Sequence, residues 1–147
     1  MATGATRPNE LFVDASFVIA LVNAHDQLHA AALNAAGRVR IDCLRLVTTQ
    51  AVLLEIGNAL AKLRYRNDAV RLLSSLQSDP TVEIVPLSNA LFDRAFTLFR
   101  ERKDKEWGLI DCLSFVVMTE RGIREALSAD EHFEQAGFIA SLRQEPN

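Results

Sequence analysis

Apolar residues along this chain fall in two rhythms: short continuous runs, and longer stretches where they recur every three or four positions. Residues 11–13 are a short apolar run closing on Asp14, and they predict a first strand. Residues 15–24 continue in helical character, and the alanine-rich residues 27–39 predict a second helix that ends near Gly37. Residues 44–49 close on two β-branched threonines and predict a strand. From Thr49 to Tyr65 the rhythm is helical: Val52, Ile56, Ala59, Leu60 and Leu63 fall on one stripe, with Thr49 as N-cap. Residues 67–78 predict another helix, with Ala69, Leu72, Leu73 and Leu76 inward and Asp79-Pro80 as its stop. Residues 82–87 are strand-like. Residues 87–102 are helical, with Phe92, Phe96 and Phe99 on a single face assigned to the core or to contact with a second copy. A charged connection, residues 100–107, precedes a helix over residues 109–122 that closes on Gly122. Residues 124–130 predict a strand ending in Asp130, residues 132–137 a short turn or helix, and residues 138–142 a last strand.

Strands alternating with helices imply an α/β fold with a mainly parallel sheet. Ligands of such sheets gather at the carboxyl ends of the strands, and Asp14 and Asp130 both sit just past one. A length of 147 residues suits a single domain. We take it to span residues 11–142, after a disordered lead-in (1–10) and before a tail (143–147). No apolar run approaches the roughly 20 residues that span a bilayer. The opening MATGATRPNE lacks the apolar core of a signal peptide, so the expected compartment is the cytoplasm. Cys43 and Cys112 lie in apolar sequence without metal-type spacing and read as reduced, small hydrophobes. A net charge of −3 argues against a non-specific nucleic-acid binder, but not against a nuclease whose acidic cluster holds cations.

Asp111 stands at the front of LIDCLSFVVM, otherwise free of charge. A buried carboxylate is costly unless it is paired, hydrogen-bonded or bound to metal. Taken singly, each acid has an ordinary explanation. Asp111 would be a cap or a first-turn acid, Glu55 a helix glutamate, and Asp14 and Asp130 turn-formers. Glu55, about 85° from the centre of its apolar stripe at 100° per residue, lies at the edge of the buried face. In combination they say more. On a parallel sheet all four would converge at the carboxyl edge, where they would repel one another and raise their pKa values. Mg²⁺ or Mn²⁺, which prefer oxygen ligands, would remove that penalty. Such a site suits phosphodiester hydrolysis.

The segments LFVDAS, VTTQAVLLEIGNAL, WGLIDCLSFVVM and ALSADEHFEQAGF, running from Leu11 to Phe138, resemble the PIN-domain family, and within it the VapC-type toxins. The resemblance implies a three-layer α/β/α fold and an endoribonuclease that uses Mg²⁺ or Mn²⁺ to position water against RNA. It implies Asp14, Glu55, Asp111 and Asp130 as catalytic and metal-binding residues, with Ser16 assisting Asp14. It also implies a homodimer and a small antitoxin protein as partner. The chain departs from the family's usual Ser-Leu-Thr-Asp at Gly108-Leu109-Ile110-Asp111, which removes two hydroxyls, and SAD replaces the commoner TAD before Asp130.

Other polar residues carry less. His25 and His29, four apart, would share a helix face without a third ligand and read as surface or partly buried. His132 reads as a local hydrogen-bonding residue. Arg100, Arg102, Lys103 and Lys105 read as a solvated loop. Lys62, seven residues after Glu55, shares that helix face and is the best-placed RNA-phosphate contact. Trp107 reads as packing. Two other functions compete with the toxin: a silent scaffold that binds RNA or protein, and a standalone RNA-processing nuclease. A phosphoacceptor chemistry at Asp14 is disfavoured, because Asp14-Ala15-Ser16 lacks a second aspartate and no Gly-rich phosphate loop is present.

Overall fold

Each apolar run that predicts a strand forms one. The computed structural model describes residues 9–143; the rest of the lead-in and tail lies outside the described residues. Strands β1 (Glu10–Val13), β2 (Arg45–Thr49), β3 (Val82–Val85), β4 (Glu125–Leu127) and β5 (Ile139–Ala140) form one sheet ordered β3-β2-β1-β4-β5. All four pairings are parallel. The helices are α1 (Ala15–Val22), α2 (His29–Ile41), α3 (Gln50–Ala59), α4 (Leu63–Ser78), α5 (Asn89–Glu101), α6 (Leu109–Arg121) and α7 (Glu131–Gln135). Right-handed crossovers send α1–α4 to one face as the chain moves from β1 out to β3, and α5–α7 to the other as it returns to β4 and β5. The result is a three-layer α/β/α domain. Strand β1 lies in the middle and is buried along its whole length, as a parallel strand covered on both faces must be.

The strand order reverses direction between β1 and β4, and a crevice opens at the carboxyl ends on either side of such a switch. Two threonines hold β2 to that edge. Thr48 Oγ1 donates to the Val13 carbonyl (2.8 Å), and Thr49 Oγ1 accepts from Val52 N (3.1 Å) to cap α3. Beneath α7, Phe133 packs on Phe115 (5.0 Å between centroids) and Phe12 (6.3 Å). That packing ties the segment after β4 to the core.

Several expectations fail. The helix expected from Thr49 to Tyr65 is two. Helix α3 ends at Ala59, Lys62 is the N-cap of α4, and Arg66 donates twice to the Ala61 carbonyl in the turn between them (3.0 and 2.6 Å). Leu60 therefore stays buried, whereas Ala59 is exposed and Leu63 is 90% exposed. Helix α2 runs through Gly37 to Ile41; a single mid-helix glycine costs only about 1 kcal/mol. The face of α5 turned inward is Leu91, Ala95 and Leu98, small enough to lie close on α6. Phe92, Phe96 and Phe99 point outward, 42–43% exposed, so the core assignment for them is wrong. Cys43 is exposed, in a left-handed turn (φ 52°), rather than in apolar surroundings, while Cys112 is buried as expected.

Candidate active site

The parallel register decides what Asp14 meets. Val13 is paired with Leu127, so one residue further on Asp14 lies beside Ser128. Ser128 Oγ donates to Asp14 Oδ2 at 2.7 Å, and Ser16 Oγ, from the first turn of α1, donates to the same oxygen at 2.9 Å. The two bonds fix the carboxylate's rotation. Ser16 Oγ also accepts from Ala129 N (3.1 Å), and Ser128 Oγ from Asp130 N (3.0 Å). A hydroxyl lattice thus joins the carboxyl ends of β1 and β4. Burial pushes the Asp14 pKa up; the bonds from Ser128 and Ser16 pull it back, and the nearby Asp111 charge raises it again.

Asp111 and Asp130 form a second corner. Asp111 is the third residue of α6, and its Oδ2 accepts from the N-cap amide of Gly108 (3.1 Å). That is one half of a capping box; glycine has no side chain to give the other half. Asp130 caps α7, its Oδ1 accepting from His132 N at 2.9 Å. The imidazole of His132 lies between the two acids, Nδ1 at 3.1 Å from Asp111 Oδ2 and 3.4 Å from Asp130 Oδ1. One ligand atom from each of Asp111, Asp130 and His132 falls within a 4.8 Å cluster.

Glu55 projects from the middle of α3, half-buried. Its pKa is raised to about 7, first by burial and then by the charges of Asp14, Asp111 and Asp130. The four acids foreseen from the sequence are therefore electrostatic neighbours at one edge of the sheet. Among the described residues, none of them is ion-paired with lysine or arginine. Unrelieved repulsion among hard oxygen donors fits a divalent cation such as Mg²⁺ or Mn²⁺. Asp111 and Asp130 share one cluster of ligand atoms, and Asp14 and Glu55 are tied to that corner by their electrostatics.

Ser16 lies where the sequence reading put it. His132 does more than local hydrogen bonding, since it reaches Asp111 twenty-one residues away. The signal available in sequence was its place two residues after a strand-end aspartate. Contrary to expectation, Lys62 does not share Glu55's helix face, because α3 ends at Ala59 and Lys62 is the N-cap of α4. His25 precedes α2 and shares no helix face with His29, whose Nδ1 meets the Ala20 carbonyl at 2.7 Å. Trp107 is packing, edge-on to Phe115 at 5.0 Å with its Nε1 donating to Gln135 Oε1.

The PIN domain family model matches residues 11–139. The chain belongs to the PIN-domain family. This PIN domain is 28% identical over 130 residues to the 23S rRNA-specific endonuclease VapC20 of Mycobacterium tuberculosis, in each of two strains, covering 88% of this chain and 95% of the relative. The crystal structure of M. tuberculosis VapC20, described as a sarcin-ricin loop cleaving toxin, superposes with a TM-score of 0.77 at 27% identity. That match covers 88% of this PIN domain and 97% of the VapC20 chain. Among the described residues no helix is long and apolar enough to cross a membrane.

Proposed function

We propose that this PIN domain is a Mg²⁺- or Mn²⁺-dependent endoribonuclease and the toxin of a toxin–antitoxin pair. Asp14, Glu55, Asp111 and Asp130 would be its catalytic residues and metal ligands, with Ser16 in support. The observation that carries this reading is the gathering of Asp111 and Asp130 with Glu55 and Asp14 at one sheet edge, where, among the described residues, no lysine or arginine is ion-paired with them. Bound metal would supply Lewis acidity and lower the pKa of an attacking water.

The chain's own residues do the rest. Ser16 and Ser128 hold the Asp14 carboxylate in one rotation. The Gly108 amide and the His132 imidazole orient Asp111, and the His132 amide orients Asp130. Preset acids lose little freedom when they engage a cation and the substrate phosphate, which is where orientation contributes to rate. Ribosomal RNA is the substrate we assign, from the name of the VapC20 relative. A small antitoxin is the assigned partner, a second copy is assigned to the exposed Phe92–Phe96–Phe99 face, and the compartment is the cytoplasm.

The test is cleavage of ribosomes and of a sarcin–ricin hairpin RNA with Mg²⁺, with Mn²⁺ and with chelator, beside Asp111→Asn. We expect cleavage with metal, none with chelator, and a loss of about 100-fold or more in the variant. Cleavage that survives chelator would sink the metal mechanism. Intact ribosomal RNA after incubation with Mn²⁺-loaded protein would sink the substrate assignment. A protein that takes up no Mn²⁺ would leave the silent scaffold as the better reading.

A further inference from the structure

We propose that His132 is a positioning residue of this site: its backbone N–H holds Asp130 while its Nδ1–H holds Asp111, which keeps the two carboxylates in register for a cation. The inference rests on the metal-site reading above and concerns a residue outside the acidic set.

The geometry comes from two elements far apart in the chain. Asp130 ends the β4 segment and caps α7, which places His132 in the first turn of that helix. Its backbone N–H goes to Asp130 Oδ1 (2.9 Å), whatever the side chain. Its imidazole then turns toward α6, where Nδ1 reaches Asp111 Oδ2 at 3.1 Å while staying 3.4 Å from Asp130 Oδ1. An ionised carboxylate only accepts, so the hydrogen of this bond is assigned to Nδ1. Asp111 Oδ2 also accepts from Gly108 N at 3.1 Å. Two donors on one oxygen fix the direction of this side chain. With Ser16 and Ser128 doing the same for Asp14, three acids of the site are held by hydroxyls, backbone amides and an imidazole rather than by lysine or arginine.

The choice of imidazole has a physical reason. Two carboxylates this close repel, and without a bridging donor they would swing apart toward solvent. A lysine or arginine between them would hold them as an ion pair and compete with the incoming cation. An imidazole N–H donates in either charge state of the ring. A nitrogen that keeps its hydrogen is not a ligand, and Mg²⁺ and Mn²⁺ favour oxygen. Hydrogen-bonding partners of metal-binding carboxylates typically contribute 10- to 100-fold in metal affinity.

The experiment compares wild type, His132→Asn and His132→Gln. The asparagine amide nitrogen stands where Nδ1 stands; the glutamine amide is carried one carbon further out. Both keep the backbone cap on α7. Mn²⁺ affinity by calorimetry should fall about tenfold or more in His132→Gln and recover most of the way in His132→Asn. Independently, ¹⁵N NMR of the wild-type ring should show a hydrogen on Nδ1 in metal-free protein, retained when Mg²⁺ is added. Equal affinity in all three proteins overturns the inference, as does loss in both variants. A bare Nδ1, or one that loses its hydrogen on Mg²⁺ binding, makes His132 an acceptor or a ligand and overturns it too. If wild type takes up no Mn²⁺, the metal-site reading fails instead, and the metal-free spectrum still decides whether Nδ1 carries the hydrogen that the Asp111 bond requires.

Discussion

The two edges of this sheet treat their acids in opposite ways. At the amino edge, Glu83 at the start of β3 meets Arg121 through two bonds (2.7 and 2.5 Å), and Glu125 at the start of β4 meets Arg38 (2.7 Å). Glu10, at the start of β1, contributes to holding the Arg121 pKa up. At the carboxyl edge, Asp14, Asp111 and Asp130 meet hydroxyls, backbone amides and one histidine, while burial and then the charges of these three aspartates lift Glu55 to about 7. Both edges carry comparable acidic character, and neither is explained by composition. Acids matched by arginine are finished structurally. Acids oriented by hydroxyls, amides and an imidazole, with no arginine or lysine paired to them among the described residues, keep their oxygens open to a cation from solution.

The sharpest way to break this contrast is Asp14→Asn. The amide oxygen still accepts from Ser16 and Ser128, so the fold should persist while metal-dependent cleavage drops about 100-fold or more. Thermal melting in chelator should show no loss of stability, because the charge removed is one that burial disfavours. At the other edge, Arg121→Ala should do the reverse. Loss of the Glu83 pair and of the charge near Glu10 should cost about 1 kcal/mol in denaturant unfolding, with the cleavage rate per folded molecule unchanged. If Arg121→Ala abolished cleavage instead, the two edges would not be functionally separate.

Glu55 sharpens the comparison through pH. Its folded pKa, about 7, lies above the ordinary 4.5. The folded state therefore binds its proton more tightly than the unfolded chain does. The resulting stability is fully present below about pH 4.5 and is lost as pH rises through 7. Metal-free Glu55→Gln should show a flatter decline over that window and be about 1 kcal/mol more stable than wild type at pH 8, after allowing for solvent screening of a half-buried group. Chelated melts at pH 5 and pH 8 measure it, and identical slopes in the two proteins would refute the coupling. The smallest effect belongs to Gly108→Ser. The N-cap backbone is extended (φ −71°, ψ 165°) and an added Cβ meets Asp111 Oδ2 at an ordinary 3.8 Å. A serine would complete the capping box and add a few tenths of a kcal/mol, read as a rise in melting temperature.

Much of the site was legible because its parts are local. Asp14 and Asp130 announce themselves by following apolar runs, Thr49 by preceding a helix whose third residue it caps, and Gly122 by taking the left-handed turn (φ 67°) that ends α6. The break between α3 and α4 was not legible. No proline or glycine marks it, and the apolar rhythm runs through; the break is favoured because it keeps Leu60 in the core while α4 turns away. The outward face of α5 was misjudged for a related reason. Periodicity identifies a stripe but not which of two stripes a neighbour will cover, and α6 covers the one with Ala95.

By itself the sequence determined the kinds of element, their order, the parallel sheet and the four acids, because propensity, capping and hydrophobic period act within a few residues. Only the tertiary structure decided the strand order, the β1–β4 register that sets Ser128 against Asp14, and the bridge from His132 to Asp111. Those contacts join residues up to 114 positions apart. Their existence depends on how helices of particular length and face width stack on both sides of the sheet, which no local pattern encodes.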